Sequence, residues 1–111
     1  MRPSQYGLKF TTTEGDETVQ QVSAEEGQVL TFDFYNPNAA VAYVQWFDKL
    51  AANVTLGTTV ADWYTVIPGV GGRDWSCEPI PFNTAISFAV TTTATGLTAL
   101  AADCVMAIKY E

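Results

Sequence analysis

The sequence predicts an all-β protein: an antiparallel β-sandwich of jelly-roll-like form with about eight strands. Three observations carry this. Fifteen threonines, eleven valines and fourteen aromatic residues favour pleated structure. Two apolar runs, Val41–Asp48 and Thr84–Thr92, have the composition of inner strands. Turn-forming residues recur at short intervals between alternating segments, which marks a sandwich or jelly roll rather than a parallel sheet with crossover helices. The 111 residues suffice for one core, and with 48% hydrophobic and 15% charged residues the chain can offset its ordering entropy. The division is an N-terminal arm or edge strand over residues 1–16 and a single sandwich domain over residues 17–111.

Taken in order, Tyr6, Leu8 and Phe10 alternate with period two, giving an edge strand or, by preference, an arm that packs on a neighbour. Residues 19–24 form a weak strand ended by Glu25, Glu26 and Gly27. In residues 29–35, Leu30, Phe32 and Phe34 share one face and Thr31 and Asp33 the other, the pattern of a half-buried strand. Asn36, Pro37 and Asn38 break it. Asn36 before Pro37 also resembles a helix start, but the crowding of Val, Tyr, Trp and Phe over 41–48 favours a strand. Large side chains on both its faces imply cover from a sister sheet on one side and from a loop or subunit on the other.

Ala51–Asn53 reads as a turn, Val54–Leu56 as a short strand closed by Gly57, and Asp62–Ile67 as a longer strand stopped by Pro68. Gly69, Gly71 and Gly72 form a flexible tip. They lack the following Lys and Ser/Thr of a phosphate cradle. Trp75–Glu78 is a short edge strand ended by Pro79 and Pro81. In 84–92, Ile86, Phe88 and Val90 face one way and Ser87, Ala89 and Thr91 the other, the clearest alternation in the chain. An uncharged loop, 93–100, leads to a last strand in which Cys104, Met106, Ile108 and Tyr110 alternate with Ala107 and Lys109.

Twelve acids against five basic residues give a formal charge of −7, which opposes direct nucleic-acid binding. Glu14, Asp16, Glu17, Glu25 and Glu26 match no EF-hand spacing and read as a solvated face. No apolar stretch is long enough for a membrane span, and no signal-peptide core follows Met1–Tyr6, so no membrane partner and no export by the general pathway are expected. Cys77 and Cys104 are expected to be buried thiols, with a disulfide between their strands as the alternative.

The chain has no histidine, so a Ser-His-Asp or Cys-His arrangement is impossible, and no metal or cofactor site is signalled. Asp33, Asp48, Asp62, Asp74 and Glu78 are the acids from which a glycosidase pair would have to come, but acids at strand ends ordinarily solubilise the rim, and no enzyme is expected. Aromatic residues are the better candidates for function. Trp63, Tyr64 and Trp75 flank the glycine-rich tip, where rings can stack on sugar or anchor a protein interface. Trp63 and Tyr64, being adjacent on a strand, point to opposite faces. Tyr43 and Phe47 lie on the second face of the 41–48 strand, and Tyr6 and Phe10 complete the candidate partner interface.

Several segments together resemble small β-sandwich virion proteins of tailed bacteriophages: Val44–Asp48, Val54–Thr58, Pro79–Phe82 leading into Ile86–Thr95, and the closing Val105–Tyr110. The resemblance spans roughly residues 29–110 and rests on strand and turn patterns. It implies a structural role with no catalytic residue: a capsid decoration or cement subunit, or a piece of a head fibre or tail, commonly trimeric. The expected partners are then copies of itself and the major capsid protein, and the expected location is the capsid surface after synthesis in the host cytoplasm. The alternative is a carbohydrate- or receptor-binding module of a tail or head fibre, using Trp63, Tyr64 and Trp75.

Overall fold

Antiparallel pairing in the computed structural model, which describes residues 7–75 and 78–111, follows a nested scheme. The strands are β1 (Leu8–Gly15), β2 (Gln20–Ser23), β3 (Gly27–Asn36), β4 (Ala42–Phe47), β5 (Trp63–Ile67), β6 (Gly71–Trp75), β7 (Ile80–Phe82), β8 (Ile86–Thr91) and β9 (Cys104–Tyr110). One sheet has the order β1-β9-β3-β6, with β7 also on β3; the other has the order β2-β8-β4-β5. β6 lies along residues 32–36 of β3 and β7 along residues 27–29, so the two act as halves of one interrupted strand. Counted that way, first pairs with last, second with second-to-last, third with third-to-last, and the middle two form a hairpin. A long hairpin rolled so that alternate pairs fall in opposite sheets is the jelly roll. The all-β sandwich expected from the sequence is therefore the fold.

The inner faces meet around Trp46, which is fully buried. It stacks on Trp63 at 5.1 Å and 9° and lies tilted against Phe32, Phe34, Phe82 and Phe88 at 5.9–6.1 Å. Its indole N–H donates to Thr65 Oγ1 at 3.1 Å, which satisfies the one polar atom that so large a core residue brings inside. Ile86, Phe88 and Val90 of β8 and Cys104, Met106 and Ile108 of β9 enter the same core, as their alternation predicts. β1 takes the second of its two expected forms, an edge strand on β9, and Phe10 packs edge-on against Phe88 at 5.7 Å.

Four local expectations are corrected. In β3 a register shift between Val29 and Thr31 inserts a bulge, so Val29, and not Leu30, joins Phe32 and Phe34 in the core. Val54–Leu56 is not a strand. After a 3-10 turn at Ala51–Asn53, the N–H groups of Thr58 and Thr59 both donate to Thr55 O and fold the segment into a turn. Gly71 and Gly72 belong to β6 rather than to a tip, because β3 supplies their pairing. Pro81 does not end a strand but lies within β7, opposite Gln28, at an edge where its missing donor is not needed. Of the strand expected at 75–78, Trp75 closes β6 and Glu78 lies in a bend; Ser76 and Cys77 lie outside the described residues, as does Tyr6.

The outer face of the β2-β8-β4-β5 sheet is covered by the chain's own loops. Ser87, Ala89 and Thr91 on that face are all buried, as are Gln45 and Phe47. Two glutamines pin the cover. Gln45 Nε2 donates to Thr91 Oγ1 at 2.8 Å and to Gly96 O at 2.9 Å, and Gln21 Oε1 accepts from Ala51 N at 2.8 Å. The two covering loops touch where Gly57, at φ +86°, leaves no room for a Cβ beside Leu97.

Candidate functional site

Six of the seven aromatic candidates are described, and they separate into three environments. Phe47 is 0% exposed beneath the covering loops, so it is packing within the chain and not an interface group. Phe10, Trp63 and Trp75 are half-buried and pack against the core. Tyr64, 54% exposed, meets Tyr43 across β4 and β5 at 6.2 Å, so these two form the outward aromatic pair. Trp63 and Tyr64 do point to opposite faces, Trp63 onto Trp46 and Tyr64 to solvent. Tyr6 lies outside the described residues.

Trp63, Tyr64 and Trp75 come together at the open side of the sandwich, where β5 and β6 face each other from opposite sheets. With Phe32, Thr65, Val66 and Arg73 they line a cleft of about 320 Å³. Trp75 is backed by Phe32 at 6.4 Å and 15°, and its indole N–H is fixed on Glu78 O at 2.9 Å. Arg73 opposes Phe34 in the ladder, two residues from Trp75, and therefore projects from the same side of β6.

A second surface is assembled by two asparagines that the sequence marks only as a strand break. Asn36 is fully buried at the end of β3. Its Nδ2 donates to Ala40 O at 2.9 Å, Pro68 O at 3.2 Å and Ile67 O at 3.4 Å, while its Oδ1 accepts from Asn38 N at 2.9 Å and Asn38 Nδ2 at 2.8 Å. Asn38 in turn exchanges two 2.8 Å bonds with the backbone of Ala102 and accepts from Val70 N at 2.8 Å through its carbonyl. Three loops, 37–41, 68–70 and 92–103, are thus held at one end of the sandwich.

That end is uncharged up to its border at Asp103. Residues 36–41, 65–72 and 91–102 contain no ionisable side chain. They leave Val41 and Val70 at 41% and 65% exposure, Val41 in the wall of a depression of about 530 Å³ lined by Pro37–Val41 and Leu100–Ala102 and Val70 bonded to Asn38 of the same wall, while Leu97 lies apart against Gly57. Backbones approach closely here; a Cβ on Gly69 would collide with Ala39 O. Val70 has φ +44°, a left-handed conformation that is strained for a β-branched residue. The acidic turn with Glu14, Asp16 and Glu17 flanks this end, tied to it where Val90 N donates to Asp16 O at 2.7 Å.

The acids considered for catalysis have other work. Asp48 accepts from the backbone N–H groups of Asn83, Thr84 and Ala85 at 2.9, 2.7 and 3.3 Å, and Asp62 accepts from Asp48 N at 2.6 Å. Burial pulls the Asp48 carboxyl upward, but the three N–H bonds, with Lys49 nearby, outweigh it and leave its pKa below the ordinary carboxylate value. Asp33 and Asp74 oppose each other in the ladder on the outward side of β3 and β6, and Glu78 is exposed. Among the described residues no group of three or more His, Cys, Asp or Glu is placed to hold a metal ion. Among the described residues no helix is long and apolar enough to cross a membrane.

No family model, curated protein or solved structure matches this chain. Its function must therefore be argued from these two surfaces. Sequence reasoning had named the cleft aromatics and noted the uncharged 93–100 loop. It missed Asn36 and Asn38, whose signal was an Asn-Pro-Asn triplet with amide side chains at a strand end, and Val70, which nothing but the backbone conformation distinguishes.

Proposed function

We propose that this chain is a structural virion protein, a decoration or cement subunit that docks on the outside of an assembled phage head through its uncharged loop end. The observation that supports this reading is the polarisation of the surface. In a chain of formal charge −7, residues 36–41, 65–72 and 91–102 carry no charge and are clamped together by the buried Asn36 and the half-buried Asn38, with Val41 and Val70 outward. A pre-ordered apolar end loses little conformational entropy on docking. The strained conformation of Val70 holds an apolar side chain in solvent, where folding alone gains nothing from it.

Such a subunit needs no chemistry. It binds the assembled shell better than the dissociated capsid protein, and mass action then shifts the balance toward the intact particle. Its partners in this reading are the major capsid protein and copies of itself, as a homotrimer in which the exposed strand edges are covered.

The test is co-sedimentation of the purified protein with assembled heads that lack it. Saturable binding is expected, and V70D should weaken it about tenfold or more, the effect of desolvating one charge in an apolar contact. Asp tolerates positive φ better than Val, so that variant should keep its thermal midpoint. Heads that do not bind the protein, or that bind V70D equally well, would refute the proposal. A stable monomer at micromolar concentration in size-exclusion chromatography with light scattering would refute the trimer.

A further inference from the structure

The cleft between β5 and β6 is remote in composition from the uncharged end and points to a different ligand. Its walls are two half-buried indoles, each held in place before anything binds. Trp63 is stacked on the buried Trp46, and Trp75 is stacked on Phe32 and hydrogen-bonded to Glu78 O. Rings fixed in this way contribute contact area without losing rotamer freedom. At about 320 Å³ the cleft lies at the small end of ligand pockets, roughly 300–1,000 Å³, a size for one ring rather than for a polymer segment.

Its electrostatics are the reverse of the molecule's. The chain carries −7 overall, yet among the described residues the one charged side chain lining the cleft is Arg73. The neighbouring Asp74 is paired opposite Asp33 on the other side of the ladder, so alternation directs it away from the cleft. A guanidinium offers paired donors matched to a carboxylate, and it is the residue of choice for planar, bidentate recognition of that group.

We propose that this cleft binds a sugar acid: a single pyranose ring whose C–H face lies against the indoles of Trp63 and Trp75 and whose carboxylate is held by Arg73. Apolar stacking surface and a lone cation are the two groups that such a ligand engages. The inference stands apart from docking to a shell, and either can fail without the other.

The experiment is a titration of the full chain followed by ¹⁵N–¹H correlation spectra, with glucuronate as the probe and glucose as its neutral counterpart. Glucuronate should shift the Trp63 and Trp75 indole signals saturably, with a dissociation constant on the order of 1 mM, while the Trp46 indole signal changes little. Glucose should bind about tenfold more weakly. R73Q, a change at an exposed position, should abolish the preference for the acid by weakening glucuronate far more than glucose. W75A should remove binding of both. If W75A unfolds, R73Q alone decides the matter through the ratio of the two affinities. Absence of saturable shifts at the indoles, or an R73Q variant with the acid preference intact, would overturn the proposal.

Discussion

Removing the side chain of Asn36 should be the most damaging polar substitution in the molecule. The residue is fully buried, and its amide makes five bonds to nitrogen or oxygen partners, three donated and two accepted. In Asn36→Ala the carbonyls of Ala40, Ile67 and Pro68 and the N–H of Asn38 all lose a partner in a place that water reaches poorly. With a net worth of about 0.5–1.5 kcal/mol for each well-formed bond, and a further penalty for donors and acceptors left buried, the loss comes to about 3–4 kcal/mol. The two long contacts, at 3.2 and 3.4 Å, count for less than the rest. In a domain of this size 1 kcal/mol moves the melting temperature by about 4 °C, so a fall of roughly 12–16 °C is expected. Calorimetry or circular dichroism on the wild type and variant measures it directly. Asn38→Ala frees the 92–103 loop but leaves the Asn36 donors in place, and should fall by about half as much. An Asn36→Ala midpoint within about 3 °C of wild type would refute the argument that this amide clamps the loops.

Three further outcomes are expected. Asp48 has a lowered pKa in the folded state, so its contribution is complete above the ordinary carboxylate value and is lost as pH falls through the folded value. Asp48→Asn should therefore cost about 1 kcal/mol near neutrality, and the cost should shrink as pH falls through the folded value, read from urea midpoints across the acid range. Lys9 and Lys109 stand directly opposite each other in the β1–β9 ladder; Lys9→Glu should raise stability by about 0.5 kcal/mol at low salt, and the gain should disappear near 1 M NaCl. The Cys104 thiol is free and fully buried, and burial, aided by Asp103, pushes its pKa up to about 11. Peptide mapping after alkylation at pH 8 should find it unmodified in the native protein and modified in denaturant; rapid native labelling would mean that the β9 end of the core opens.

What the sequence disclosed and what it hid follow a physical line. β4, β8 and β9 were legible because their own side chains form the core, so period-two alternation is written into them. The opposed directions of Trp63 and Tyr64 followed from the same rule. β6 was hidden because Gly71, Gly72, Arg73 and Asp74 are half-buried or exposed at an edge and take their strand geometry from pairing with β3. Leu30 misled because a bulge moves the whole register by one, and composition does not announce a bulge. Val54–Leu56 misled because β-branched residues suit an extended chain, while the local bonds to Thr55 O decided for a turn. Of the candidate surfaces, the cleft was half visible as a cluster of aromatics. Its single cation was not, since Arg73 reaches the indoles through a strand that the sequence does not declare.

The nested pairing of the strands also sets a timetable for synthesis. β4 and β5 can meet as soon as both have been made, but β2 must wait for β8 and β1 for β9. A ribosome therefore releases the opening strands long before the surfaces that will cover them exist, leaving Phe10 and Val22 wet through most of translation. Closure of one sheet then waits for β8 and of the other for β9, which makes this fold a candidate for chaperone retention during elongation and for slow, topology-limited folding afterwards.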